Sequence, residues 1–348
     1  MLMPNVTPLR AEPPLIVSLD IGTSSIRASL FDRMGRAVEG LKARKAHEIQ
    51  TSSGGAAEAV PDSILQSVFD CLDQLTQKIR PLKSGIGGVA SCTFVNNVLG
   101  IDGTDRAVTP LTTYADTRAE KEVAGLQSDF DEASVHDRTG CRFHPSYLPA
   151  RFRWMARVHP EWLEKVDRWV SIGEYLELKL FGVTAVSHSV ASWTGLQDRH
   201  RLVWDAPLLA GLPVGVEGLS SLTDVNRPRH GLRSEFAGRW PDLAEVPWFP
   251  AVGDGAAANV GSGCISSGQV AVTMGTTSAL RVVLSDAPEH LPSGLWCYRV
   301  DGKRSLLGGA LSEGGSVFAW MKDTLNLGAY PDLEKALAAV KADFHGLT

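Results

Sequence analysis

The residues best suited to chemistry stand near the start of the chain, where an apolar stretch ends on Asp20. The segment 18–32 runs SLDIGTSSIRASLFD, so Gly22, Thr23 and Ser24 follow this aspartate closely. A glycine turn lets backbone N–H groups converge on one point, and such a concavity attracts anions. The hydroxyl groups add donors, and a carboxylate beside the turn can hold Mg²⁺ through water. The simpler alternative, a tight hairpin in which Gly22 takes an unusual φ and Asp20 only bonds the turn, stays open.

A second stretch repeats this pattern much later in the chain. Residues 272–284 run VTMGTTSALRVVL, with Gly275 and Thr276 at the pivot. Two such turns from related halves, facing each other across a cleft, would suit a polyphosphate chain, although two hairpins can also coincide. The sequence has no GxxxxGK[ST] loop and no GxGxxG that opens a helix after a strand. These absences argue against a P-loop enzyme and a nicotinamide-dependent dehydrogenase.

A third candidate is Asp254, which stands between two glycines in the segment AVGDGAAANVGSG. A strand is predicted to enter a helix there, so this carboxylate lies near a helix N-terminus. One interpretation is an N-cap aspartate. The functional one is a general base that accepts a hydroxyl proton during phosphoryl transfer, and small neighbours would admit a substrate.

Composition and charge exclude several partners. The chain has 348 residues and a net charge of −5, without a basic block of the kind that binds nucleic acid. The five cysteines are dispersed and odd in number, which favours a reducing compartment over a disulfide framework. Because no apolar run spans a bilayer and residues 1–14 lack a signal-peptide core, we expect a soluble cytoplasmic protein that binds no membrane.

The elements that must position these residues follow from periodicity and turn signals. The three segments at the start predict an antiparallel meander, and apolar residues at helical spacing predict an amphipathic helix over 62–80. The stretches RAEKEVAGLQ and HPEWLEKVDRWV predict further helices. Strand character is predicted for 85–102 and a strand–turn–strand for 269–284. The Gly- and Pro-rich segment 208–249 predicts a long surface excursion.

Four motifs in order make the chain resemble the FGGY carbohydrate kinases. They are the Asp-x-Gly-Thr turn at residue 20, TYADTR at 113–118, GDGAAANVGSG at 253–263 and MGTTS at 274–278. The resemblance covers about residues 15–330. It implies an α/β, actin-like and ribonuclease H-like fold of two domains, with ATP and a sugar in the central cleft. The implied divisions are a flexible tail (1–14), an N-terminal domain (15–258) and an incomplete C-terminal domain (259–348).

The resemblance also assigns residues to the nucleotide side. It implies that Asp254 is the catalytic base and that Asp20 is the carboxylate on the Mg²⁺ side. Arg27 either orders the first turn or is a surface-paired arginine. The remaining residues that the resemblance places around ATP are Gly22, Thr23 and Ser24 in the first turn, Gly275, Thr276 and Thr277 in the second, and Gly309 on the nucleotide wall.

The sugar side is less well defined by the resemblance. It implies Asp116 and Tyr114 within TYADTR, although the tyrosine could equally be a core aromatic. Asn96 stands where several relatives carry a different substrate-contacting pair, which leaves the identity of the sugar open. His144 and Tyr147, in a stretch similar to the gluconate kinase branch, are further pocket residues; the alternative for this histidine is a surface position.

The resulting functional hypothesis is an ATP- and Mg²⁺-dependent kinase for a sugar, sugar acid or polyol, with a gluconate-like or xylulose-like substrate favoured. A homodimer is a further expectation. An impaired fragment or a non-catalytic protein that binds nucleotide or sugar is the alternative, because family members continue beyond the point where this chain stops. A third alternative, an aspartyl phosphatase, is disfavoured, since it needs a second aspartate where Gly22 stands.

Overall fold

A computed structural model describes residues 5–82, 85–274, 278–311, 314–329 and 332–341. The strands in these ranges are β1 (Leu15–Ile21), β2 (Ser25–Phe31), β3 (Ala37–Ala46), β4 (Gln50–Thr51), β5 (Ala57–Ala59), β6 (Ile86–Thr93), β7 (Leu99–Ile101), β8 (Leu111–Thr112), β9 (Arg168–Val170), β10 (Ala185–Ser187), β11 (Gln197–Asp198), β12 (Val203–Trp204), β13 (Ser221–Thr223), β14 (Val252–Gly253), β15 (Val270–Met274), β16 (Ser278–Leu284), β17 (Trp296–Arg299) and β18 (Ser305–Leu311). The α-helices are α1 (Pro61–Ile79), α2 (Glu120–Asp129), α3 (Glu132–Thr139), α4 (Leu148–Val158), α5 (Pro160–Lys165), α6 (Ile172–Phe181), α7 (His188–Ala191), α8 (Ala206–Leu209), α9 (Ser234–Arg239), α10 (Asp254–Gly261), α11 (Gly315–Thr324) and α12 (Leu333–Ala338).

The first sheet has five strands in the order β14-β6-β1-β2-β3. The strands β1, β2 and β3 form the predicted antiparallel meander. Strand β6 pairs in parallel with β1, and β14 pairs in parallel with β6. Val17, Leu19 and Ile21 are fully buried in β1, while the residues between them are only partly covered. The parallel strands β1, β6 and β14 therefore end at the same edge, where α/β proteins bind ligands.

The helix predicted over 62–80 is confirmed as α1. Pro61 occupies its first turn, where a missing N–H costs nothing. Leu65, Val68, Leu72 and Leu75 recur at helical spacing and are buried in the core that this helix shares with β1–β3. The helix thus covers one face of the meander.

The second sheet is antiparallel, in the order β15-β16-β18-β17, and its two faces differ. On one face Val283, Tyr298 and Leu306 are buried against the first part of the chain. The other face is apolar and open, with exposed side chains that include Val272, Met274, Leu280 and Leu311. A hollow of about 380 Å³ lies among these exposed residues.

Backbone contacts join this sheet to the first part of the chain. Cys297 N–H in β17 donates to the carbonyl oxygen of Gly140 at 3.0 Å, directly after α3. Arg299 N–H donates to Ser192 Oγ at 2.8 Å. Gly140 has a φ of +76°, and an added Cβ would lie 1.9 Å from the Cys297 carbonyl oxygen. Glycine is therefore required at this junction for both conformation and space.

Two sequence predictions about connecting segments are wrong. Residues 208–249 are not a surface excursion, because Phe236, Trp240 and Leu243 are buried in the main core. Trp240 Nε1 also donates to Asp73 Oδ1 of α1 at 2.8 Å. In the stretch 159–170 the helix α5 ends at Lys165, and its last residues form β9. Both regions use short elements, whose apolar residues lack a sustained period.

The described part of the predicted flexible tail, residues 5–14, is attached to the first sheet. Val6 is buried and forms a parallel bridge with Val38 of β3. Val6 N–H donates to the carbonyl oxygen of Ala37, and its own carbonyl oxygen accepts the Glu39 N–H, both at 2.9 Å. Glu12 forms ion pairs with Arg33 and Arg36. Throughout the described ranges, the structure has no helix with the length and apolar character needed to span a membrane.

Candidate active site

Three side chains meet where the parallel strands of the first sheet end. Asp20 in β1 pairs in register with Cys92 in β6, which in turn pairs with Val252 in β14. Asp254 directly follows this last strand and opens α10. The thiol of Cys92 lies 3.5 Å from Asp20 Oδ1, and burial raises its pKa, with the charges of both aspartates adding to the effect. Parallel pairing thus brings together two carboxylates that are distant in sequence.

The first Gly-Thr turn is confirmed as a hairpin, but its glycine is needed for a different reason. Gly22 is absent from the described residues with positive φ; instead, a Cβ there would lie 3.1 Å from the carbonyl oxygen of Ser25. Gly22 N–H donates to that same oxygen at 3.2 Å. His47, at the end of β3, donates from Nε2 to the Gly22 carbonyl at 2.7 Å. His47 was not predicted as a site residue, since nothing in its local pattern connects it to the turn.

Asp20 is held by Arg27 rather than by the turn. Arg27 Nη1 lies 3.0 Å from Asp20 Oδ2, and both side chains are partly exposed to the cleft. This is the surface-paired arrangement for Arg27, and it also keeps a positive charge beside the turn. Among the described residues no group of three or more His, Cys, Asp or Glu side chains is arranged to hold a metal ion. Mg²⁺ uses one or two carboxylates together with substrate phosphates, so a lone Asp20 on the cleft wall is compatible with it.

Asp254 is the first residue of α10, and its N-cap is Gly253. The interpretation of Asp254 as an N-cap residue is therefore wrong. Gly255 N–H donates to Asp254 Oδ1 at 2.7 Å. Partial burial raises the pKa of the carboxyl, while this N–H and the charge of Arg281 oppose the rise. The side chain nevertheless reaches the open cleft, so a substrate hydroxyl can approach it.

An aromatic stack supports the backbone around Asp254. Trp193 packs against both flanking glycines: a Cβ on Gly253 would lie 2.9 Å from its Nε1, and one on Gly255 3.2 Å from its ring. Its ring stacks on Tyr298 with centroids 3.6 Å apart. Tyr298 belongs to the second sheet, and its hydroxyl group is hydrogen-bonded to the hydroxyl group of Tyr147 at 2.5 Å. The glycines on either side of the aspartate thus permit close contact with this stack.

The second sheet supplies the opposite wall of the cleft. Thr273 and Arg281 face α10 across a space of about 470 Å³. The other lining residues are Asp20, the turn 22–25, Arg27, Cys92, Asp254, Gly255 and two alanines of α10. A turn with free donors, two carboxylates and two guanidinium groups therefore share one open cavity, which is the chemistry expected of a phosphoryl-transfer site.

The comparisons with known proteins agree with this geometry. The model of the FGGY family of carbohydrate kinases, N-terminal domain, matches residues 15–261, which is more than half of the chain. The chain belongs to this family. A gluconokinase of Bacillus licheniformis is 28% identical over 309 residues, a match that covers 88% of this chain and 59% of the gluconokinase. The chain thus spans about three fifths of the length of this relative.

Solved structures of FGGY kinases show the same architecture. A ligand-bound xylulose kinase from Lactobacillus acidophilus is 26% identical, with a TM-score of 0.83 over 89% of this chain and 62% of that one. A gluconate kinase from Lactobacillus acidophilus is 26% identical, with a TM-score of 0.82 over 88% of this chain and 62% of that one. The predicted actin-like, ribonuclease H-like fold is confirmed by these similarities.

The residues predicted for the sugar side of this FGGY chain do not line the cleft that holds Asp254. Asp116 is 4% exposed, and its carboxylate accepts the Ala57 N–H at 3.1 Å and the Arg118 guanidinium. Tyr114 is exposed rather than part of the core. Tyr147 lies under the aromatic stack through its bond to Tyr298. Asp116 is thus engaged within the protein, and Tyr147 is connected to the backbone around Asp254 through two intervening rings, Tyr298 and Trp193.

Asn96 and His144 lie on loops that a buried arginine links. Asn96 has a φ of +55°, and its carbonyl oxygen accepts Arg151 Nη1 at 2.7 Å. Its side-chain oxygen is buried without a hydrogen bond and borders a small internal cavity. His144 Nδ1 lies 2.8 Å from Ser146 Oγ, and partial burial together with the Arg151 charge lowers the pKa of this imidazole.

The remaining predicted nucleotide residues lie elsewhere or outside the description. Gly309 lies in β18 opposite Leu280, on the open apolar face rather than in the cleft. Gly275, Thr276 and Thr277 lie outside the described residues, between the paired ends of β15 and β16. The cleft therefore contains the predicted first turn, Asp20, Arg27 and Asp254, together with Cys92 and Arg281, which sequence analysis did not select.

Proposed function

We propose that the chain is the catalytic part of an ATP-dependent kinase that phosphorylates a hydroxyl group of a sugar, sugar acid or polyol. One observation carries this proposal: the carboxylate of Asp254 and the Gly22-Thr23 turn share one cleft at the ends of the parallel strands. The similarity to gluconokinases and xylulose kinases supports it. The free state of all five cysteines fits the predicted cytoplasmic location.

In the proposed reaction Asp254 acts as general base. Its ionised carboxylate accepts the proton of the substrate hydroxyl as that oxygen bonds to the γ-phosphorus of ATP, and the bond to the β–γ bridging oxygen breaks to release ADP. Because its pKa lies above the usual aspartate range, Asp254 is a better proton acceptor than an ordinary surface aspartate. Gly255 N–H orients the carboxylate by holding Oδ1.

The first turn and Asp20 have the complementary role of holding the phosphates. Thr23 and Ser24 present hydroxyl and backbone donors at the cleft, and His47 holds the Gly22 carbonyl so that these donors keep their direction. Asp20 would hold Mg²⁺, which neutralises phosphate charge when it is bound. Arg27, already paired with Asp20 at 3.0 Å, holds the orientation of that carboxylate in the absence of ligand.

The open apolar face of the second sheet favours a second candidate function. In this case the chain is one part of a kinase and needs further polypeptide for full activity. Val272, Met274, Leu280 and Leu311 lie on this face, each at least 54% exposed. Contiguous exposed apolar surface marks a site of interaction. The matched relatives are longer, which makes their additional residues the natural cover for such a face.

One experiment tests both candidates. Phosphorylation would be assayed with ATP and Mg²⁺ over gluconate, xylulose, ribulose, glycerol and erythritol, using this chain alone and together with the remaining segment of the Bacillus licheniformis gluconokinase. We expect transfer to at least one compound, and a gain upon addition of that segment if the apolar face requires cover. The absence of transfer to every compound in both conditions would contradict the kinase proposal.

A further inference from the structure

Arg281 is a cationic side chain of the cleft that lies near Asp254 without forming a close ion pair with any described residue. Arg281 Nη1 donates to Thr273 Oγ1 at 3.1 Å, and its Nε is buried without any hydrogen bond. No carboxylate of the described residues lies within ion-pair distance of Arg281. Arg27 on the facing wall differs, since it is paired with Asp20 at 3.0 Å. A guanidinium nitrogen such as this Nε, which has lost water without gaining an acceptor, is unfavourable unless a ligand supplies one.

The strand pairing determines where Arg281 lies. Thr273 and Arg281 project from the same face of the second sheet as Val283, which is buried against the first part of the chain. Leu280, one residue earlier, lies on the opposite, open face. A Cβ on Gly255 would lie 3.5 Å from Arg281 Nε, so this nitrogen sits at the start of α10. Arg281 is thus fixed beside the proposed base rather than beside the first turn.

The surroundings of Arg281 are suited to binding an anion. The Trp193 ring packs against the same side of Gly255 as Arg281 Nε, and Tyr298 lies in the same sheet as Arg281, so aromatic rings border the guanidinium. Limited access to water strengthens a charge-assisted hydrogen bond. Burial lowers the pKa of Arg281 from its usual value, and the charge of Asp254 acts in the opposite direction. A bound oxyanion would supply the missing acceptor.

We propose that Arg281 binds the carboxylate of a sugar acid whose hydroxyl group is deprotonated by Asp254. This inference rests on the proposed kinase function and specifies its substrate class. The unpaired Nε calls for an acceptor beside the base, and a guanidinium pairs with a carboxylate through two parallel hydrogen bonds. The γ-phosphoryl group of ATP is the other oxyanion that could reach the cleft. The position of Arg281 at Gly255, across from the first turn, favours the substrate.

The test compares two ligands that differ at one carbon. D-gluconate and D-glucitol carry a carboxylate and a hydroxymethyl group, respectively, on the same carbon chain. Their dissociation constants, and that of ATP, would be measured by calorimetry for the wild type, Arg281→Met and Arg281→Lys. Arg80→Met, a change of an exposed arginine at the end of α1, is the matched control.

We expect the wild type and Arg80→Met to bind gluconate more tightly than glucitol. Arg281→Met should weaken gluconate binding by about ten- to a hundredfold, the range for a hydrogen-bonded charged pair, and leave glucitol and ATP unchanged. Arg281→Lys keeps the charge but not the planar fork, so its affinity for gluconate should lie between those of the wild type and Arg281→Met. Thermal unfolding of each variant would confirm that it is folded.

Two results would overturn the inference. In one, the wild type binds gluconate no more tightly than glucitol. In the other, Arg281→Met weakens ATP binding and leaves the ratio of gluconate to glucitol affinity unchanged, which assigns the guanidinium to the phosphoryl group. The kinase proposal is separate: selective gluconate binding without phosphorylation contradicts that proposal alone, and phosphorylation of only neutral sugars contradicts the role of Arg281 alone.

Discussion

Replacement of Asp254 by asparagine is the most direct test of the proposed chemistry. Asparagine has almost the same shape, and its Oδ1 can still accept the Gly255 N–H that lies 2.7 Å from the aspartate oxygen. The change therefore removes the proton acceptor while it preserves the local contacts. Asp20, the other carboxylate on the cleft wall, is paired with Arg27 and bonded to Cys92, so it is not free to replace the base.

The expected loss follows from this geometry. A positioned general base contributes about 10²- to 10⁴-fold to the rate, which corresponds to about 2.7 to 5.4 kcal/mol of barrier. We expect kcat for Asp254→Asn to fall within that range, because no other described carboxylate in the cleft is available. KM for ATP should change little, since the first turn, Asp20 and Arg27 are untouched.

The pH dependence provides a second quantity with a defined sign. A base must be ionised to act, and partial burial raises the pKa of Asp254 above its ordinary value of 3.8. Wild-type activity should therefore fall on the acidic side at a higher pH than an unperturbed aspartate would give, and the variant should lose this limb. A raised carboxyl pKa lowers folding stability as pH rises through it, so the variant should be at least as stable as the wild type near neutral pH.

The assay would couple ADP release to NADH oxidation. It would use a substrate that is phosphorylated in the screen described under the proposed function, with the chain alone or with the added gluconokinase segment, whichever is active. Asp286→Asn is the matched control, because Asp286 is exposed on the loop after β16. Its kcat should equal that of the wild type. A kcat for Asp254→Asn within about threefold of the wild type, in a folded protein, would refute the role of Asp254, because general bases contribute far more.

Two further predictions concern stability, both measured by urea unfolding. Burial raises the pKa of Glu177 from 4.5 to about 7, so its stability contribution is full below the lower value and falls as pH rises through the higher one. Wild-type stability should therefore decline by about 2 kcal/mol more than that of Glu177→Gln between about pH 5.5 and about pH 8, and parallel profiles would contradict this. Gly140→Ala should cost about 3 kcal/mol or more, because φ is +76° and the new Cβ would meet the Cys297 carbonyl at 1.9 Å. Gly231→Ala, with φ of +72° and open space, should cost less; equal losses would contradict the steric argument.

The parts of the fold and site that sequence predicts are those set by local pattern. The meander and α1 follow from alternation and helical spacing, and both are confirmed. Asp20 is the second-last residue of β1, and Asp254 directly follows β14. Because parallel strands of one sheet end at the same edge, the proximity of the two aspartates also follows. The hairpin at Gly22 was predicted correctly as a turn but for the wrong reason, because backbone crowding does not have a sequence signature.

The parts that sequence does not predict depend on contacts between distant segments. Arg281 belongs to an ordinary alternating strand, and only the pairing of the second sheet turns it towards Asp254. Trp193 lies 60 positions before Gly253 in the chain and meets it through folding alone. In 208–249 the buried aromatics follow no period, because each belongs to a separate short element.

Arg151 explains how the predicted sugar-side segments are related even though they do not line the described cleft. It is 2% exposed, and it donates to the carbonyl oxygens of Asn96 and Thr113 and, at 3.4 Å, of Pro145. These oxygens belong to the three segments from which Asn96, the TYADTR motif and His144 were selected. Burial lowers its pKa to about 10, so the group stays protonated at neutral pH. Because a guanidinium has a rigid fork, one buried cation holds three loops at constant separation. A substitution at Asn96 would therefore leave this shared anchor in place, since the anchor uses backbone carbonyls rather than side chains.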